Sequence, residues 1–138
     1  MPSGRCWCGN VQYEFAGDST HVVLCHCLSC KKISGGTNTV NIPVKREKLT
    51  ITSGTPKSHT QQHEDGFNLT VFFCGDCSTV IYKQADADIF ATISLIQSGT
   101  LDGSSKDKIS QPLSELNVKS RVSWLAEVNG AVQKQGFV

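Results

Sequence analysis

The chain has 138 residues, of which 38% are hydrophobic, and this length can bury one hydrophobic core, so we expect a single domain over residues 1–138. Its formal charge is +1, which becomes about −2 if seven cysteine thiolates hold two Zn²⁺ ions, and its basic residues are scattered, so a nucleic-acid partner is not expected. The longest apolar runs are too short to cross a bilayer, so no membrane partner is expected either.

The sequence predicts a mostly β fold, because β-branched or alternating runs occur in nearly every segment and helical periodicity is almost absent. The predicted strands are residues 11–15, 21–24, 37–42, 49–52, 57–62, 69–73, 80–83 and 89–93. Turn residues at 53–56 and 64–66 separate some of them, and the second turn is predicted to close a hairpin. Residues 98–112 are rich in Gly, Ser, Lys and Asp, which indicates a surface loop with room for one helical turn.

The seven cysteines fall into three groups with the spacing of metal ligands. They are a C-x-C pair, a C-x-C-x-x-C group and a C-x-x-C pair, formed by Cys6 and Cys8, by Cys25, Cys27 and Cys30, and by Cys74 and Cys77. A disulfide framework is the alternative. The odd count and the lack of an apolar signal region after Met1 favour zinc in a cytoplasmic protein, where thiols stay reduced.

The spacing divides the cysteines into four plus three. Cys74 and Cys77 form a zinc knuckle that needs two more ligands, and Cys6 and Cys8 are its natural complement. We expect these four, the four-cysteine cluster, to hold a closed structural zinc. The remaining sulfurs cannot complete a tetrahedron, so we expect a catalytic zinc with one open position. This three-cysteine cluster consists of Cys25, Cys27 and Cys30.

Two alternatives concern the residues around the second cluster. Cys25 could be a buried strand residue, with only Cys27 and Cys30 binding metal. His26 could be a ligand, although an extended backbone would point it away from the cysteines, which favours packing or support of the metal ligands. The other histidines lack motif spacing and are interpreted as surface or strand-face residues. They are His21, His59 and His63.

Several segments resemble the glutathione-dependent formaldehyde-activating enzyme (GFA) family, also called the CENP-V/GFA domain family. The resemblance lies in residues 4–13, 25–32 and 73–78, with support from 99–102 and 112–125. It implies an Mss4-like fold of curved antiparallel sheets, the same two zinc sites with the second one catalytic and labile, and a carbon–sulfur lyase activity that joins formaldehyde to glutathione. Ser78 stands where the family's common Cys-Gly-x-Cys-Gly-Ser turn has glycine.

The expected chemistry uses the three-cysteine zinc as a Lewis acid that holds a substrate thiolate or polarises a carbonyl oxygen. Three thiolates leave the site with a charge of about −1, which favours a soft thiol ligand such as glutathione. Lys31 and Lys32 could offset this charge or meet a glutathione carboxylate, or simply be solvated. The competing hypothesis is a non-catalytic Mss4-like zinc module that binds a protein partner. The third cysteine, Cys25, favours the enzyme, because such a module needs only the structural zinc.

Overall fold

The computed structural model describes residues 1–103 and 109–138, and short strands dominate these ranges. The strands are β1 (Ser3–Arg5), β2 (Gln12–Phe15), β3 (Val23–Cys25), β4 (Thr39–Lys45), β5 (Leu49–Ser53), β6 (Lys57–Gln62), β7 (Asn68–Phe73), β8 (Val80–Ala85), β9 (Ile93–Gln97), β10 (Ser114–Leu116) and β11 (Val132–Gln133). Helix α1 spans Leu28–Ser34, and 3-10 turns occur at Arg46–Lys48, Asp88–Phe90, Ser98–Thr100 and Val118–Ser120. The predicted mostly β, Mss4-like fold is confirmed.

The strands form two sheets. The small sheet is antiparallel, with the order β1-β2-β5. The large sheet has the order β11-β10-β3-β4-β9-β8-β7-β6. It is antiparallel from β3 to β6, whereas β10 runs parallel to both β3 and β11. The C-terminal strands are therefore added beside β3, the strand that ends at Cys25.

The main core packs side chains of the small sheet against those of the large sheet. Phe15 comes from β2, and Ile42 and Ile96 come from β4 and β9; all three are fully buried. Burying an aliphatic or aromatic side chain of this size stabilises the fold by about 1.5–3 kcal/mol. Cys6 and Cys74 belong to this core, so the four-cysteine cluster lies where the two sheets meet.

Most predicted strands overlap observed ones, but the prediction at 89–93 is wrong. Asp88–Phe90 is a 3-10 turn, and β9 begins only at Ile93. The side chain of Arg46 donates to the carbonyl oxygens of Ala85, Phe90 and Ile93 at 2.9, 3.3 and 3.2 Å. These carbonyls are thus satisfied by a distant guanidinium, which supports the turn in place of a strand.

Helix α1 was not predicted, because seven residues are too few to show helical periodicity. The Cys27 sulfur caps its start by accepting a hydrogen bond from the Cys30 amide at 3.2 Å. Gly35 ends it with φ 68°, a left-handed conformation typical of glycine after a helix. The C-x-x-C spacing therefore places Cys27 at the N-cap of α1 and Cys30 in its first turn. Gly35 was the residue in the sequence that indicated where the helix ends.

The two predicted connections have different outcomes. The hairpin is confirmed, since β6 pairs antiparallel with β7 through Gln62 and Asn68. The predicted loop at 98–112 does contain a single helical turn, Ser98–Thr100, but Ser98 is buried and not on the surface. The part of this loop at 104–108 lies outside the described residues. No helix in the described ranges is long and apolar enough to span a membrane.

Candidate metal centres

The four-cysteine cluster joins the loop after β1 to the turn between β7 and β8. Its four sulfur atoms all lie within 4.8 Å of one another. The Cys8 sulfur is 3.6 Å from that of Cys6 and 3.7 Å from that of Cys74. Zinc–sulfur bonds of about 2.3 Å place the corners of a tetrahedron about 3.8 Å apart, so this donor set fits a zinc ion.

Backbone amides support the sulfurs of this cluster. The Val11 amide donates to the Cys6 sulfur at 3.3 Å, and the Asp76 amide donates to the Cys74 sulfur at 3.4 Å. Hydrogen bonds from the Thr79 hydroxyl and the Cys8 amide lower the pKa of Cys77 to about 5. Such donors favour thiolates, the form that binds metal. Cys8 itself is exposed, so one corner of the cluster faces solvent.

The three-cysteine cluster lies where β3 passes into α1. Cys25 ends the strand, Cys27 caps the helix, and Cys30 lies in its first turn. The three sulfurs are within 4.8 Å of one another, and each residue is 3% exposed. The Cys25 sulfur lies beside the other two sulfurs. This position favours Cys25 as a third member of the cluster over the alternative in which it is only a packed strand residue. The donor set fits a zinc ion with three protein ligands.

A buried lysine stands beside this cluster. Lys83 of β8 is 2% exposed, and its Nζ lies 3.5 Å from the Cys30 sulfur and 3.0 Å from Thr39 Oγ1. Hydrogen bonds from the Cys25 and Cys27 thiols lower the pKa of Cys30, and the charge of Lys83 lowers it further against the opposing effect of burial. Lys83 is therefore placed to stabilise negative charge on the Cys30 sulfur.

The turn between β6 and β7 reaches the same site. The Glu64 carboxylate accepts hydrogen bonds from the Leu28 and Ser29 amides at the start of α1. Partial burial tends to raise the pKa of Glu64, but hydrogen bonds from the Ser29 hydroxyl and amide hold it below its ordinary value. His63, interpreted from the sequence as a surface residue, is 3% exposed. The hydrogen bonds of Glu64 anchor this turn on helix α1. The anchored turn places His63 beside Cys27.

His63 has a buried ring nitrogen, Nε2, that makes no hydrogen bond to a described residue. Its Nδ1 accepts a hydrogen bond from the Asp65 amide at 3.0 Å, so the neutral ring carries its proton on Nε2. Nε2 lies 3.0 Å from Glu64 Oε1 without hydrogen-bond geometry, and no other described residue pairs with it. The ring stacks on Phe67 with centroids 4.3 Å apart, which fixes its orientation. A buried ring nitrogen that makes no hydrogen bond to a described residue is a candidate for substrate binding.

A second buried network fixes the backbone between Cys25 and Cys27. His26 is fully buried, and its Nε2 lies 2.7 Å from Glu115 Oε1. This position agrees with the packing interpretation of His26 and not with its being a metal ligand. Glu115 Oε2 accepts from Arg121 Nη2 at 3.2 Å, the Val128 amide at 2.8 Å and Gln133 Nε2 at 2.7 Å. Although burial opposes them, these hydrogen bonds hold the pKa of Glu115 below its ordinary value.

The C-terminal segment also contacts one sulfur of the three-cysteine cluster directly. Asn117 Nδ2 lies 3.5 Å from the Cys25 sulfur and can donate to it. Lys31 donates its Nζ proton to the Ser120 carbonyl, and Lys32 lines a different groove, between α1 and strands β6 and β7. Neither lysine lines the cavity at the three-cysteine cluster, whereas Lys83 does. Lys83 provides the positive charge instead.

A cavity of about 220 Å³ opens onto the three-cysteine cluster. All three cysteines line it, together with Lys83 and His63. The rest of its wall is mostly apolar and comes from β4, β7, β8 and β9 and from the C-terminal Phe137. Sequence reasoning found the three sulfurs but missed Lys83 and His63. A lysine directly after the apolar run at residues 80–82 of β8 was the one available signal.

Comparisons with known proteins identify the family of the chain and support its fold. The sequence profile of the family described as glutathione-dependent formaldehyde-activating enzyme matches residues 1–120. No curated protein matches the chain. The crystal structure of a Rhodobacter sphaeroides protein superposes with a TM-score of 0.60 at 16% identity, covering 80% of this chain and 96% of that chain, and this likeness supports the fold. The chain belongs to the glutathione-dependent formaldehyde-activating enzyme family.

Proposed function

We propose that the protein is a zinc-dependent carbon–sulfur lyase that forms and cleaves adducts between glutathione, or a related thiol, and an aldehyde. Family membership supports the glutathione-dependent class of reaction. The observation that carries the proposal is the cavity of about 220 Å³ that ends on three clustered sulfurs. A module that only binds a protein partner has no need of a cavity that leads to a metal site.

The two clusters take different roles in this proposal. The four-cysteine cluster holds the structural zinc that joins the two sheets, and the three-cysteine cluster holds the catalytic zinc. Zinc bound by three thiolates supplies a Lewis acid with one open coordination position. Lys83 offsets the charge of about −1 that three thiolates and one Zn²⁺ would leave in a buried site. Asn117 and the Cys30 amide orient two of the sulfurs by donating hydrogen bonds to them.

The reaction moves one proton and makes one bond. The thiol sulfur bonds to the carbonyl carbon, the carbon–oxygen π bond breaks, and the thiol proton ends on the oxygen; cleavage is the reverse. His63 contributes its Nε2–H to the oxygen as a hydrogen-bond donor from the cavity wall beside Cys27. Lys83 stabilises negative charge during sulfur transfer, because its ammonium faces the same cavity.

The test compares the exchange rate of glutathione and formaldehyde with their adduct, measured by NMR exchange spectroscopy, with and without the zinc-loaded protein. We expect an exchange rate that rises with protein concentration above the spontaneous rate. Cys27→Ala should return it to the spontaneous rate while the folded spectrum is kept, and Lys32→Ala, outside the cavity, should leave it unchanged. No acceleration, or full acceleration by Cys27→Ala, would overturn the proposal.

A further inference from the structure

The cavity at the three-cysteine cluster has an aromatic wall that the founding chemistry of a one-carbon aldehyde does not require. Phe67, Phe90 and Phe137, the phenylalanine wall, pack against one another at its side. Their ring centroids are 5.3 Å apart for Phe90–Phe137, 5.7 Å for Phe67–Phe137 and 6.3 Å for Phe67–Phe90. The Phe90–Phe137 pair is edge-to-face at 89°. Such mutual contacts hold the rings in place as a preformed surface.

Aliphatic side chains complete this apolar surface. Ala85 of β8 is 4% exposed, and Ile93 and Leu95 of β9 and Leu69 of β7 also line the cavity. Two polar lining residues, Lys83 and His63, lie beside the cysteines. The other polar side chains of the described lining are those of His21, Asn41, Ser114 and Lys134. The phenylalanine wall is thus the apolar end of the cavity, and it borders the sulfurs directly, because Phe137 packs against the three cysteines.

The volume sets the size of the group that fits. An apolar cavity of about 150 Å³ is sufficient to bind benzene. The cavity here, about 220 Å³, can therefore hold a phenyl-sized group together with the few atoms that reach the sulfurs. Formaldehyde contributes one carbon and would leave the apolar end without an occupant. The charged groups of glutathione have no partners on the phenylalanine wall, so burial there would be costly for them.

We propose that this site acts on thiol adducts of aldehydes that carry an apolar group of about phenyl size, in preference to the formaldehyde adduct. The inference rests on the proposed function. The apolar group lies against the phenylalanine wall, the carbon bonded to sulfur faces the three-cysteine cluster, and the charged part of the thiol extends toward Lys134. The reaction is the one given above, with R–SH and R′–CHO forming R–S–CH(OH)–R′, so atoms balance and no redox partner is needed.

The test uses stable thioethers that resemble the two kinds of adduct. S-benzylglutathione and S-methylglutathione are titrated calorimetrically into the zinc-loaded protein. Because a pocket discriminates one methylene by roughly tenfold or more, we expect S-benzylglutathione to bind at least about tenfold more tightly. Ala85→Leu, which fills the cavity, should remove this difference. Ala91→Leu adds the same atoms at an exposed position and should preserve it. Ile93→Phe fills the cavity from the β9 side and replaces Ala85→Leu if that variant does not fold.

The outcomes separate this inference from the lyase function. Equal binding of the two thioethers, or binding of neither, would overturn the apolar preference even if glutathione and formaldehyde are turned over. A benzyl preference that Ala85→Leu and Ile93→Phe leave intact would also overturn it, because the benzyl group would then lie elsewhere. A benzyl preference lost in the filled variants supports it, and turnover of benzaldehyde with glutathione then tests the lyase function separately.

Discussion

Replacing Glu115 by glutamine tests whether the buried carboxylate holds the C-terminal segment on the second cluster. Glu115 accepts hydrogen bonds from Arg121, Val128 and Gln133 on one oxygen and contacts His26 through the other. A hydrogen bond to a charged group contributes about 1.5–3 kcal/mol and a neutral one about 1 kcal/mol. Glutamine keeps one acceptor oxygen for the first three donors at reduced strength. Losing about 1 kcal/mol at each gives a decrease of about 3 kcal/mol in the free energy of unfolding.

Urea unfolding of the zinc-saturated proteins measures this difference. The total stability of a domain is about 5–15 kcal/mol, so a loss of this size is large and easily resolved. Glu115→Ala should lose more, because it removes the acceptor of these three part-buried donors and the carboxylate partner of the fully buried His26 ring. Glu14→Gln on β2, whose side chain makes no hydrogen bond to a described residue, is the matched control and should change little. A Glu115→Gln loss below about 1 kcal/mol would refute the reasoning.

The difference in the free energy of unfolding between wild type and Glu115→Gln depends on pH. The folded-state pKa of Glu115 is held below its ordinary value, so the unfolded chain binds the proton more readily. The stability that the carboxylate contributes is therefore fully present above about pH 5, beyond the unfolded pKa of about 4.3, and is lost as pH falls through the folded pKa. The difference between wild type and Glu115→Gln should shrink on acidification. A difference that grows below pH 5 would contradict this sign.

Three further predictions concern the metal clusters. Cys8→Ser should unfold or aggregate the protein, because structural zinc contributes about 10 kcal/mol or more to folding, whereas Cys30→Ser should stay folded; equal losses of melting temperature would contradict the division into two roles. Mild chelation should remove one of two zinc ions and leave a folded protein, as metal analysis and circular dichroism can show. Ser78 has φ 67°, so Ser78→Gly should be about 1 kcal/mol more stable than Ser78→Ala in urea, and the reverse order would remove the argument from backbone strain.

Cysteine spacing predicted which sulfurs come together because the spacing is local. A C-x-x-C turn brings two sulfurs together within one turn, so only the pairing of Cys6 and Cys8 with Cys74 and Cys77 required a long-range assumption. The predicted strands were mostly right for a similar reason, since alternation along a strand reflects its own two faces. The error at 89–93 arose because the guanidinium of Arg46, from a distant turn, determines the local conformation there.

The rest of the site depends on contacts between residues far apart in sequence. Lys83 meets Cys30 across 53 positions, and Glu115 meets His26 across 89. His63 follows a polar edge strand, and the sequence does not indicate that Glu64 anchors its turn on a helix formed 35 residues earlier. Such pairings follow from sheet order and register, which periodicity does not specify. The apolar cavity depends in the same way on distant residues.

Cobalt substitution tests the central claim most directly, namely that the three-cysteine cluster holds a metal with a position open to the substrate thiol. The protein is reconstituted with two Co²⁺ ions per chain, and its visible absorption is recorded before and after addition of glutathione. We predict that glutathione changes part of the spectrum, that the contribution of the four-cysteine cluster stays constant, and that Cys27→Ala abolishes the change. An unchanged spectrum alongside full turnover would contradict the claim.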